Sequence, residues 1–173
     1  MPVSNASPLI YLAKIGLLGY LRDFYEDVQI PLEVKEETVD QGMKRGYSDA
    51  FVIKTAIEEG WIKIEHLSED NAKRAKIYAE ATRIHVGEAQ AIFLAIQKGE
   101  KEILVDETMA RDAARQFGLT PHGTIYIIMR ICNSGFITKE QAKGLLDLLI
   151  EKNFHVSARV YKKAVLALER DKR

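Results

Sequence analysis

The segment Leu104-Val105-Asp106-Glu107-Thr108-Met109-Ala110-Arg111 decides the fold. With Ile103 ahead of it, it opens as three consecutive aliphatics and passes at once into a helix-forming run. A short apolar run of this kind is the pattern of a strand covered on both faces, as in parallel sheets. The acid directly after it, Asp106, stands at the strand's carboxyl end, where open α/β sheets bind ligands. Three more acid or amide side chains stand at similar apolar-to-helix junctions. Asn5 follows Pro2-Val3-Ser4, Glu37 lies in the helix after Val28-Gln29-Ile30-Pro31, and Glu88 follows Gly87. Hard oxygen donors converging at one end of a sheet suit Mg²⁺ or Mn²⁺.

Further out, short strands alternate with longer helices. Pro2-Val3-Ser4 reads as a minimal first strand, and Ser7-Pro8 as an N-cap followed by proline at the first helical position. Val28-Gln29-Ile30 is a second strand closed by Pro31, and a helix runs from Leu32 to about Met43. Ser48-Asp49 reads as the cap of the next helix, which reaches Gly60. Trp61 to His66 alternates apolar and polar side chains, as a strand near a sheet edge does. Helices follow from Ser68 and from Gly87, the second ending at Gly99. Leu119 to His122 is a last short strand, and helices after Gly123, Thr138 and Ser157 close the chain. The order predicts an α/β fold with a parallel sheet of about five short strands covered on both faces, and a C-terminal helical extension. Residues 1–135 are expected to form the core and residues 136–173 helices packed on it within the same domain.

The composition excludes several classes. Lys plus Arg number 25 and Asp plus Glu also 25, so no global charge draws the chain to nucleic acid, and such a partner needs a local basic patch. The clusters Lys73, Arg74, Lys76 and Arg159, Lys162, Lys163 are the candidates, although a solvated helix face explains either. The single cysteine, Cys132, excludes an internal disulfide and a cysteine-based zinc site and reads as a small buried hydrophobe. No secretory leader is legible behind Met1 and no apolar run is long enough to span a bilayer. A cytoplasmic location and no membrane partner are therefore expected.

Five segments, taken in order, carry a family resemblance: Ser4-Asn5-Ala6-Ser7-Pro8-Leu9-Ile10, Ile30 to Glu37, His85-Val86-Gly87-Glu88-Ala89-Gln90-Ala91-Ile92, Leu104 to Arg111, and Pro121-His122-Gly123-Thr124. Over residues 1 to about 135 the chain resembles a PIN domain. More narrowly, it is similar to the small prokaryotic PIN-like family described as predicted nucleic acid-binding proteins, relatives of toxin–antitoxin toxins. The resemblance implies a three-layer α/β/α fold and Mg²⁺- or Mn²⁺-dependent ribonuclease chemistry. By position it assigns the first-strand acid to Asn5, the helix acid to Glu37, the acid opening the Gly-Glu-Ala helix to Glu88, and the acid after the central strand to Asp106. A further acid common in the family falls on Thr108, a hydroxyl, and Ser7 matches the hydroxyl near the first acid.

Phosphodiester hydrolysis needs a water made nucleophilic and a transition state whose added charge is absorbed, both of which divalent ions supply. Glu37, Glu88 and Asp106 are the expected catalytic residues, and these three with Asn5 the expected metal ligands. Ser7, Thr108 and Arg111 are expected in support, Arg111 either near a substrate phosphate or paired with Glu107 at i−4. Each has a plainer role. Asp106 can cap the next helix, Glu88 can favour its helix dipole, Glu37 can be a solvated helix glutamate, and Asn5 and Ser7 can be turn residues. His85 and His122 read as surface or capping histidines.

The expected function is a metal-dependent endoribonuclease acting on single-stranded RNA, leaving, as the resemblance implies, a 5′-phosphate and a 3′-hydroxyl. The resemblance adds the role of toxin in a toxin–antitoxin pair, with a protein antitoxin and a homodimer as partners. The alternative is a degenerate PIN domain that binds RNA or a protein without turnover, motivated by Asn5 and by the missing acid at Thr108. A phosphate-binding or receiver-like domain fits less well, because the chain has no glycine-rich phosphate loop.

Overall fold

The computed structural model describes residues 1–169. The chain divides into two compact units, residues 1–123 and the segment from Thr124 onward, whereas the sequence reading set its division at residue 135.

The first unit holds a five-stranded sheet with the order β3-β2-β1-β4-β5, every pairing parallel. Its strands are β1 (Val3–Ser4), β2 (Val28–Pro31), β3 (Ile62–Glu65), β4 (Glu102–Leu104) and β5 (Thr120–His122). Its helices are α1 (Ala6–Lys14), α2 (Leu21–Phe24), α3 (Leu32–Lys35), α4 (Gly42–Lys44), α5 (Ser48–Glu58), α6 (Glu69–Thr82), α7 (Val86–Lys98) and α8 (Thr108–Gln116). The second unit is α9 (Thr124–Asn133), α10 (Lys139–Glu151) and α11 (Ala158–Glu169), which pack on one another.

The strand order explains the layers. From β1 to β3 the chain steps one way across the sheet. It then returns past β1 to β4 and β5. Parallel crossovers are right-handed, so the two directions put their helices on opposite faces. The return path carries α6, α7 and α8; α7 lies over β1, β2 and β4, with α6 and α8 beside it. The outward path carries α1 to α5, with α1 packed on α5. The result is the three-layer α/β/α arrangement.

Ile103, Leu104 and Val105 are buried, as a strand covered on both faces requires. The core under α6 to α8 joins Val3, Ile103 and Val105 of the sheet to Ile92, Phe93 and the alanines of α7 and α8. Tyr78, Phe93 and Phe117 meet edge to face at centroid distances of 5.3 to 6.0 Å, a favoured aromatic geometry. β3, read from its alternation as an edge strand, is at the sheet edge.

Three local readings are corrected. Helix α1 starts two residues early: Asn5 is its N-cap residue, Ser7 lies inside the first turn, and Pro8 still falls where its missing N–H is not needed. Helix α5 is preceded by Tyr47 rather than capped by Ser48-Asp49. The helix from Leu32 is not uniform, because Glu36–Gln41 forms a π-helical turn between α3 and α4. Elsewhere Ser68 and Thr138 cap as read, accepting from Asn71 N–H and Gln141 N–H. Cys132 is only partly buried. No helix among the described residues is long and apolar enough to cross a membrane.

A candidate metal and nucleic-acid site at the switch point

β1 has β2 on one side and β4 on the other, so the chain's reversal of direction falls beside β1. Ligand sites of open parallel sheets lie at such a point, outside the carboxyl ends of the strands. A pocket of about 290 Å³ opens there. Asn5 and Ser7 come to it from the end of β1 and the start of α1, Glu37 from the π-helical turn, His85 and Glu88 from the start of α7, and Glu107 from the turn between β4 and α8. Ile10, Tyr11 and Lys14 of α1 extend the wall.

Asn5 joins the two sides of the switch point. Its backbone N–H donates to Leu104 O at 3.1 Å and its Nδ2 to Glu107 Oε2 at 3.1 Å. The side chain is buried, and its Oδ1 accepts no hydrogen bond from any described residue. A buried oxygen left in this state costs about 1–3 kcal/mol, so it marks a place where a donor or cation is wanted. Turning the amide over would set its oxygen against the Glu107 carboxylate, which favours the orientation seen.

Glu88 is buried in the first turn of α7, where its Oε2 accepts the backbone N–H of His85 at 2.9 Å. Its pKa is pushed up to about 7, first by burial, against the His85 hydrogen bond, and then by the charge of Glu107 and a hydrogen bond between the two carboxyls. Glu37 is also raised, chiefly by burial of its carboxyl and further by Glu107 and Glu33, while His85 opposes the rise. That carboxyl lies against Gly87, where an added Cβ would stand 3.3 Å from Glu37 Oε2. Gly87 thus lets Glu37 close on the start of α7. The π-helical turn aims Glu37 here, and such turns recur at functional sites.

Asp106 stands beside the pocket. It does not line the pocket; its Oδ2 accepts the Ser7 hydroxyl at 3.0 Å, just behind the wall. Its neighbour Glu107, exposed at the N-cap of α8, lines the pocket with Glu37 and Glu88. Arg111 donates to Val105 O at 3.1 Å instead of pairing with Glu107, and so braces the strand end. Thr108 is exposed in the first turn of α8 and does not reach the pocket. Asn5, Ser7, Glu37 and Glu88 are therefore brought together, Asp106 is held next to them through Ser7, and Arg111 and Thr108 stand outside. His122 lies 3.7 Å from Glu102 rather than in the pocket. Lys73 pairs with Glu69, and Arg74 stands by Asp70 and Asn71, so two cations of that cluster are engaged within α6.

Gly123 fixes Asp106 from the other side. A Cβ there would lie 2.7 Å from Asp106 Oδ1 and 3.0 Å from Arg111 Nη1. Gly123→Ala is expected to destabilise the protein by about 1–3 kcal/mol, as overpacking does. Denaturant melting reads this, and unchanged stability would show that the Asp106 carboxylate is not confined there.

Tyr11, Lys14 and Glu107 are what sequence reasoning missed. Ser7, Tyr11 and Lys14 recur at helical spacing on the face of α1 opposite Leu9, Leu12 and Ala13, a signal present in the sequence. Glu107 had no comparable signal, since either residue after a strand can face a site.

Among the described residues, no three acidic, histidine or cysteine side chains converge tightly enough to hold a metal ion. The amide Oδ1 of Asn5 is an oxygen donor outside that count. With Glu88 and Glu107 it makes a set of hard oxygen donors, the chemistry Mg²⁺ and Mn²⁺ accept while keeping several waters. The residues present therefore fit such an ion. Comparison with known sequences gives one family, described as a PIN domain, whose profile matches residues 1–170. No curated protein matches the chain.

Proposed function

Since this chain belongs to the PIN domain family, a nuclease-type fold that generally uses divalent ions, we propose that it is a metal-dependent endoribonuclease that hydrolyses single-stranded RNA. The observation that carries this reading is the buried, unpartnered Oδ1 of Asn5 beside the Glu88–Glu107 pair at the switch point. Asn5, Glu88 and Glu107 would hold the ion, with the Glu37 carboxylate beside them against the start of α7. Asp106, fixed by the Ser7 hydroxyl, adds negative charge behind the donors and keeps α1 on the strand end. A bound divalent ion supplies activation of the attacking water and neutralisation of charge developing on the phosphoryl oxygens. Glu37, whose pKa burial raises above the ordinary carboxylate value, takes the proton from the attacking water. The products carry a 5′-phosphate and a 3′-hydroxyl. The same reading includes a toxin of a toxin–antitoxin pair, cytoplasmic, inhibited by a protein antitoxin and acting as a homodimer.

A second reading is supported by the amide at position 5 and by the absence of three converging charged ligands among the described residues. It is a PIN domain that binds RNA or a protein without turnover. Cleavage of an end-labelled single-stranded RNA panel in Mn²⁺, Mg²⁺ or EDTA separates the two. Metal-dependent cleavage is expected, lost in Glu107→Ala and reduced less in Asp106→Ala. RNA binding without cleavage by the wild type would favour the second reading, and a greater loss in Asp106→Ala would return the key acid to position 106.

A further inference from the structure

We infer that Tyr11 and Lys14 form the substrate rail of this pocket, Lys14 holding a backbone phosphate next to the scissile one and Tyr11 stacking on the adjoining unpaired base. They have this role only if the pocket takes nucleic acid, as proposed above. Helix α1 leaves the acids at Ser7 and presents Tyr11 one turn later and Lys14 a further turn along the same face. At about 1.5 Å of rise per residue, Lys14 stands about 10 Å beyond Ser7 along the helix axis. The rail therefore leads outward from the acids to solvent. Tyr11 is half-buried, and burial with the charges of Asp106 and then Glu107 raises the pKa of its phenol, so its ring lies within the field of the acids. The Lys14 ammonium sits over that ring, 5.2 Å from its centroid. Lys14 is exposed and makes no ion pair among the described residues. Most other basic side chains near acids on this unit are neutralised, including Lys35, Lys63 and Lys98.

A cation without a carboxylate partner at the mouth of an acid-lined pocket suits a phosphate approaching from outside. An aromatic ring beside it suits a base face. Together these are the elements of single-strand recognition, in which a positive track follows the backbone and aromatic side chains stack on bases of any sequence. A duplex, whose bases are already stacked, gains nothing from Tyr11.

The test uses the full chain with Mg²⁺ and a fluorescein-labelled oligouridine made cleavage-resistant by phosphorothioate linkages, read by anisotropy over a salt series. Lys14→Ala is expected to weaken binding and to reduce the salt slope by about one, with Lys14→Arg retaining it. Tyr11→Ala is expected to weaken binding about tenfold, the lower end of the range for one base–aromatic stack, with Tyr11→Phe close to wild type. A duplex of matched length should show no dependence on Tyr11. In cleavage of the unmodified RNA the losses should fall on KM more than on kcat. Binding with these dependences but no cleavage by the wild type would remove the nuclease reading and leave the rail standing. Metal-dependent cleavage in which both alanine variants match wild type in affinity, KM and salt slope would overturn the rail and leave the nuclease. Absence of any binding of the probe by wild type would also overturn it.

Discussion

Glu88→Gln is expected to abolish metal-dependent cleavage and, in the same protein, to raise stability at alkaline pH when no metal is bound. The loss of activity should be at least about a hundredfold, comparable with removing a group that carries transition-state charge. The gain in stability follows from proton linkage. Folded Glu88 has a pKa of about 7 against an ordinary 4.5. Between these values the folded state binds more protons than the unfolded chain, so stability falls as pH rises through that window, and the penalty is complete above about pH 7. Discounted for partial solvent screening, it is on the order of 2 kcal/mol. Glutamine removes it, so the variant should melt roughly 5 °C above wild type at pH 8 and close to it at pH 4.5. Added Mn²⁺ should reverse the order, because the ion stabilises only the protein that binds it. A variant less stable than wild type at pH 8 would mean that Glu88 serves the fold, through the start of α7, rather than a ligand.

Asn5→Asp is expected to act in the opposite sense. A carboxylate there loses the Nδ2 hydrogen bond to Glu107 and sets like charges about 3 Å apart, which costs the metal-free protein about 2 kcal/mol. With metal the added charge becomes an advantage. At an effective dielectric constant near 20 it is worth up to about 4 kcal/mol at contact distances, so Mn²⁺ affinity should rise tenfold or more, and cleavage with it. Calorimetric titration and the RNA assay read the two effects. A silent wild type that becomes active through Asn5→Asp would identify a degenerate site repaired by one atom. Unchanged affinity would show that position 5 is not a ligand.

The parts of the fold set by periodicity were legible. Ile103-Leu104-Val105 announced a buried parallel strand and Trp61 to His66 an edge. Glycines ended helices where a left-handed residue was needed, as at Gly99 with φ +67°. The parallel sheet alone put Asn5 and the residues after β4 at one end of the molecule. The family's spacing selected Glu37 over Glu36, and the structure supplies the local device, a π-helical turn that no apolar pattern encodes. Which of Asp106 and Glu107 faces the pocket was not legible. That choice depends on how β4 ends, on Ser7 claiming Asp106 and on Gly123 admitting its carboxylate. These are contacts among residues far apart in the chain. The same limit applied to Ser7, which has the composition of an N-cap but whose hydroxyl is engaged across the switch point.

The central claim is that this pocket binds one divalent ion through Asn5, Glu88 and Glu107. It is tested most directly by following free Mn²⁺ by electron paramagnetic resonance as it is titrated into wild type, Glu88→Gln and Glu107→Gln at pH 8. Saturable binding of one ion by wild type, weakened at least about tenfold in each variant, is the predicted result. Equal binding by all three proteins, or none by wild type, would contradict the claim.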